Sequence, residues 1–146
     1  MSLFARLAAV LLVGFCLATP TLAADDGKTT LVVNLTSDDV WTAQMALTLA
    51  TRVKENVAEG EVVVFLNVRG VTLANTKVPQ HTGALSGKTP QEMLSAFMKA
   101  GGRVFVCGPC TTQAGLSIDE RLEGTEVGGP PLVAIMMAPG TRIISY

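Results

Sequence analysis

The residues of this chain best able to do chemistry lie together at Cys107-Gly108-Pro109-Cys110, directly after the apolar run Val104-Phe105-Val106. Two thiols separated by two residues can make and break a disulfide, carry sulfane sulfur as a persulfide, or hold a soft ion such as Cu(I). The thiolate is the reactive form, so reactivity depends on what surrounds each sulfur. If Cys110 or Thr111 opens a helical turn, free N–H groups and partial positive charge there favour a thiolate at Cys107. The alternative is a binding protein in which a Cys107–Cys110 bridge is inert. So short a bridge closes too small a loop to add much global stability, which makes any value it has chemical.

Other chemical groups are few. His81 is the only histidine and sits in a long connection. It could give a proton or raise the thiolate fraction of Cys107, or simply be a solvated loop residue. Two cysteines and one histidine do not complete a closed zinc site, so neither metal nor cofactor is expected. Asp38-Asp39 and Asp119-Glu120 read as helix caps and solvated charge. Asn67 and Asn75 read as structural or turn residues.

Cys16, the third cysteine of the chain, belongs to a different context. Residues 1–23 have the form of a secretory signal peptide. Arg6 supplies the positive end, residues 7–17 are apolar but too short to span a bilayer, and Pro20 breaks the segment before small residues at 21–24. Phe15 is too large to precede a lipidated cysteine, so Cys16 is expected to leave with the signal. The remaining domain, residues 24–146, is then periplasmic or secreted, where oxidation of the remaining pair is permitted. The full chain carries a net charge of −1 and no basic stripe, which argues against nucleic acid as a partner. No second apolar stretch approaches membrane length, so no membrane association is expected after cleavage.

The elements that must position the thiols follow from periodicity. Leu31-Val32-Val33-Asn34-Leu35, residues 61–68 and residues 103–106 read as strands buried on both faces. Thr36-Ser37-Asp38-Asp39 reads as a helix start, followed by a helix over residues 40–57 with Trp41, Met45, Leu49 and Val53 as its apolar stripe. Thr89-Pro90-Gln91-Glu92 has the form of a capping box with proline at the first helical position, and Leu94, Phe97 and Met98 face inward. Residues 69–88 show no periodicity and read as a long loop, of the kind that often carries function. After the cysteines, residues 111–115 suggest a helical turn, 116–122 a weak helix, 132–137 a short helix begun by Pro130-Pro131, and 142–146 a closing strand. This alternation predicts a compact α/β three-layer sandwich, flavodoxin-like or Rossmann-like, with a mostly parallel sheet of about five strands. Ligands in such sheets bind beyond the carboxyl ends of the strands, where Cys107 would end a central strand.

The tetrapeptide alone suggests thioredoxin, but the context does not. That fold places its pair early, behind a tryptophan, and needs a hairpin and helix afterwards. Here Val106 precedes the pair and only residues 111–146 follow.

Four segments are similar to another family. Phe65-Leu66-Asn67-Val68-Arg69-Gly70-Val71 looks like a strand ending in Asn-x-x-Gly-Val, and Gly101-Gly102-Arg103-Val104-Phe105-Val106-Cys107 like a glycine-strand-cysteine segment. Gly115-Leu116 and the closing Ile143-Ile144-Ser145-Tyr146 follow in the expected order. With these the chain resembles the DsrE/DsrF-like proteins of the sulfur-relay group. The resemblance implies assembly as a homotrimer or homohexamer and exchange with sulfur donor or acceptor proteins. It also implies a sulfurtransferase-like carrier role, with Cys107 the persulfide-bearing cysteine and Cys110 a second cysteine present in part of the family.

Overall fold

Runs of β-branched residues build the middle of the structure. The computed structural model describes residues 29–57 and 60–146. The signal peptide and cleavage region expected over residues 1–23 lie outside the described residues. The elements in order are β1 (Thr30–Leu35), α1 (Val40–Asn56), β2 (Glu61–Leu66), a 3-10 helix (Val68–Ala74), α2 (Pro90–Lys99), β3 (Arg103–Cys107), α3 (Gly108–Gln113), a 3-10 turn (Ile118–Glu120), β4 (Glu126–Gly128), α4 (Pro130–Met137) and β5 (Thr141–Ser145). The strands form one five-stranded sheet in the order β4-β3-β2-β1-β5, and every pairing is parallel. The chain steps outward from β1 to β4 and then returns to the far side of β1. The expected three-layer α/β class is therefore present.

Period-two alternation sends the strand side chains to two unequal layers. Val33, Leu35, Val64, Leu66, Val104 and Val106 pack with α1, α2 and the 3-10 helix, and all are buried. On the opposite face Val32, Val63 and Phe105 are covered by Leu132, with Ile135 and Met136 of α4 beside it. Among the described residues no helix is long and apolar enough to cross a membrane.

The helix starts follow their capping chemistry. Asp39 is the N-cap of α1 and accepts from the Thr42 N–H at 2.8 Å. That bond holds the Asp39 carboxyl below its ordinary range. Thr89 and Glu92 form the reciprocal capping box of α2, with Pro90 at its first position, and the Thr89 N–H likewise lowers the Glu92 carboxyl.

Several expectations are corrected. In α1 the buried face is Ala43, Gln44, Ala46, Leu47 and Ala50, whereas Trp41 is 78% exposed and Met45 44%. Small side chains let the helix backbone lie close to the sheet, so the alanines pack and the large residues turn outward. The connection after β2 is not structureless, because its first part is the 3-10 helix. Residues 116–122 form only the short 3-10 turn, and β4 supplies the fifth strand of the expected count at residues that no sequence pattern marks. Its pairing makes β3 an interior strand, bonded on both sides, one place from the middle of the sheet.

Candidate sulfur site

Cys107 is the last residue of β3 and the N-cap of α3, which begins at Gly108 with Pro109 in its first turn. The missing proline N–H costs nothing there, since first-turn N–H groups have no helical partner. Strand and helix meet with no intervening loop, and that junction sets the sulfurs at the carboxyl edge of the sheet. Cys107 and Cys110 are joined as a disulfide with Cα atoms 5.2 Å apart. Both are half-buried and pack against the edge of the main core. The helix opens earlier than the sequence suggested, and the N–H that reaches Cys107 Sγ is that of Cys110, at 3.3 Å. The Thr111 hydroxyl donates to the Gly108 carbonyl at 2.7 Å, tying the turn to itself.

The neighbouring strand completes the site. β2 ends at Leu66, and Asn67 follows as the N-cap of the 3-10 helix. Asn67 Oδ1 accepts the Val68 N–H at 2.8 Å and lies 3.3 Å from Cys110 Sγ. Val68 adopts φ +49, the one described non-glycine residue with positive φ. For a β-branched side chain that is a strained conformation, costing about 1–3 kcal/mol, which persists only where the surroundings enforce it. Here they do. The Asn67 N–H donates to the Leu35 carbonyl at 2.9 Å, and the Gly70 N–H donates to the Thr36 carbonyl at 3.1 Å. Gly70 lies so close to β1 that an added Cβ would strike the Leu35 carbonyl oxygen. The turn is therefore clamped onto the end of β1, and α3 packs against the 3-10 helix it begins.

One ion pair borders this edge. Arg69 donates to Asp38 through Nε at 3.1 Å and Nη2 at 2.7 Å. The hydrogen bonds from Arg69 lower the Asp38 carboxyl and raise the guanidinium. Both side chains are solvated enough that the pair contributes little to stability.

Of the sequence candidates, the structure brings Cys107 and Cys110 together and leaves His81 apart. His81 is exposed in the connection between the 3-10 helix and α2, and no hydrogen bond joins it to the sulfurs. The later part of that connection folds onto α1 instead. Buried Gln44 donates to Ser86 Oγ at 2.8 Å and to the Lys88 carbonyl at 3.1 Å. An open, largely apolar groove of about 600 Å³ runs between Trp41, Met45 and Leu85, away from the cysteines. The sequence marks Asn67 as a structural or turn residue within the Asn-x-x-Gly-Val segment. Its place directly after a buried strand, at the carboxyl edge, was the available signal. Among the described residues no three His, Cys, Asp or Glu side chains cluster as a metal site.

The family model for the DsrE/DsrF-like family matches residues 28–146, which takes in the sheet and both sulfurs. The chain belongs to this family. Several solved structures share the fold, among them the following two. The ychN protein from E. coli is 20% identical with a TM-score of 0.65, covering 82% of this chain and 99% of its own. MTH1491 from Methanobacterium thermoautotrophicum, a protein of unknown function, is 16% identical with a TM-score of 0.66, covering 82% of this chain and 100% of its own. At these identities the likeness is one of fold. No curated protein matches the chain.

Proposed function

We propose that this DsrE-like protein is an exported sulfur handler in which Cys107 takes up sulfane sulfur or exchanges with a disulfide, and Cys110 resolves the product. The observation that carries this reading is the placement of a half-buried sulfur pair at the strand–helix junction, with the Cys110 N–H directed at Cys107 Sγ. A donor aimed at sulfur favours its thiolate. Membership of the family supports a sulfur role. The signal-like residues 1–23 support export to an oxidising compartment.

The chemistry balances as follows. In the reduced protein the Cys107 thiolate attacks the outer sulfur of a persulfide, R–S–SH. A bond forms between Cys107 Sγ and that sulfur, the donor S–S bond breaks, and RS⁻ leaves. The Cys110 thiol then attacks Cys107 Sγ of the resulting persulfide. The intramolecular disulfide forms, and the outer sulfur departs with the Cys110 proton as H2S. With a disulfide substrate the same two steps release two thiol equivalents. A dithiol reductant must supply two electrons to return the pair to its reduced form. A sulfur acceptor that attacks the persulfide before Cys110 does would turn the same site into a carrier.

The protein works as an assembly of copies of itself in this reading. Support comes from α4 and β5, where Val133, Met137 and Ile143 are exposed on an apolar surface. Size measurement in solution should give a trimer or hexamer, and Met137→Glu should lower that mass; a wild-type monomer defeats the assembly.

The deciding experiment is a sulfane-sulfur transfer assay on the reduced protein, followed by mass spectrometry. Cys107→Ser should abolish transfer, while Cys110→Ser should accumulate a persulfide or mixed disulfide on Cys107. Equal transfer by wild type and Cys107→Ser would falsify the reading. Resistance of the bridge to dithiol reductants would instead make it an inert tie.

A further inference from the structure

The two sulfurs face opposite kinds of polar group. Cys107 Sγ faces a donor, the Cys110 N–H at 3.3 Å. Cys110 Sγ faces Asn67 Oδ1 at the same distance. The orientation of the Asn67 amide is fixed by its other neighbour. The Val68 N–H can only donate, so the amide atom 2.8 Å from it must be the oxygen. That same oxygen is the atom presented to Cys110. In the disulfide Cys110 carries no hydrogen, and the approach is an oxygen–sulfur contact. Once the bridge is reduced, the identical geometry becomes an S–H···O hydrogen bond. An acceptor held against a thiol stabilises its neutral form, and a donor held against a sulfur stabilises its charged form.

We propose that Asn67 is the positioning residue that divides the labour of the two sulfurs, holding Cys110 as a neutral thiol while Cys107 carries the charge. This inference rests on the sulfur-handling reading above and explains how an attacking and a resolving cysteine are told apart. The strain at Val68 fits the same purpose. The Val68 N–H holds Asn67 Oδ1 at the start of this left-handed turn, and the Gly70 N–H bond to the Thr36 carbonyl, with the close approach of Gly70 to the end of β1, keeps the turn in place. An asparagine free to rotate would offer Cys110 its amide N–H groups as readily as its oxygen, and the distinction would be lost.

The test is residue-resolved alkylation of the reduced full chain with iodoacetamide across a range of pH, read by tandem mass spectrometry. In wild type Cys107 should react about tenfold faster than Cys110 at neutral pH, the ratio expected for about one unit between their midpoints. Asn67→Ala removes the acceptor, so Cys110 should react about threefold faster and its midpoint should fall. Asn67→Asp keeps an acceptor for the Val68 N–H and adds negative charge, so the Cys110 midpoint should instead rise and its rate drop about threefold. Opposite movement in the two variants is what a mere loss of turn structure does not produce. If the alanine variant fails to fold, the aspartate variant decides alone. An unmoved Cys110 midpoint in Asn67→Asp, or a shift of the same sign in both variants, overturns the proposal. The readout involves no sulfur substrate, so its failure is distinct from loss of the proposed function, which the Cys107→Ser transfer assay reports.

Discussion

The two ends of β3 carry polar groups of opposite character. At its amino end Arg103 donates to Glu126 through Nε and Nη2 at 2.8 and 2.7 Å, and to Glu61 through Nη1 at 2.8 Å. Its guanidinium also sits 4.7 Å over the Phe105 ring. The hydrogen bonds to Glu126 and then Glu61 raise the Arg103 guanidinium, and the bond from Arg103 lowers the Glu126 carboxyl. One guanidinium bridges two carboxylates there, and the cluster ties β2, β3 and β4 in register. At the carboxyl end the sulfurs lie beside a strained backbone and an asparagine oxygen that has no hydrogen to accept from an oxidised Cys110. A cluster bonded in both the oxidised and the reduced protein holds the sheet edge together. In the proposed reading Asn67 Oδ1, already bonded to the Val68 N–H, gains Cys110 as a second partner when the bridge is reduced.

The largest expected effect is on activity at the carboxyl end, where Cys107→Ser should abolish sulfane-sulfur transfer while leaving the far-UV circular dichroism of the protein unchanged. Next comes Gly70→Ala. Its Cβ would push against the Leu35 carbonyl, and urea unfolding should show a loss of about 3 kcal/mol. A loss below about 0.5 kcal/mol, within the range of ordinary surface substitutions, would mean that the turn is not clamped as described.

At the amino end, Arg103→Ala should cost only about 1 kcal/mol at neutral pH, because all three charged groups remain partly solvated. The pH dependence gives the sign. Glu126 has a folded-state pKa below its ordinary value of 4.5, so its contribution is fully present above that value and is lost as pH falls through the depressed one. Wild type should therefore lose stability in acid more steeply than Arg103→Ala. Parallel acid slopes for the two proteins would remove the cluster from the account. The smallest effect is a gain. Val68→Asn relieves a left-handed valine with a residue that tolerates the conformation, and should stabilise by about 0.5–1 kcal/mol. Destabilisation by that variant would show that Val68 packing outweighs its strain.

Much of the fold was legible along the chain. Buried strands such as β1 and β2 announce themselves as runs of β-branched residues, and the box at Thr89 and Glu92 starts a helix by local hydrogen bonding alone. The buried face of α1 was not, because choosing between a stripe of large residues and a stripe of alanines requires knowing how closely the helix must approach the sheet. β4 is three residues long and lacks an apolar pattern, so only its partner β3 makes it a strand. Asn67 and Cys110 stand 43 residues apart, and nothing local connects them.

What the sequence determined by itself was therefore local: the cysteine pair, the strands, the caps and the motif order that places the chain among DsrE-like proteins. Those features depend on neighbours along the chain. The tertiary structure alone decided which polar group Cys110 faces. Parallel pairing of β2 with β3 brings the carboxyl ends of both strands to one edge, and the approach of Asn67 Oδ1 to Cys110 Sγ, residues so distant in sequence, exists only once that register is set.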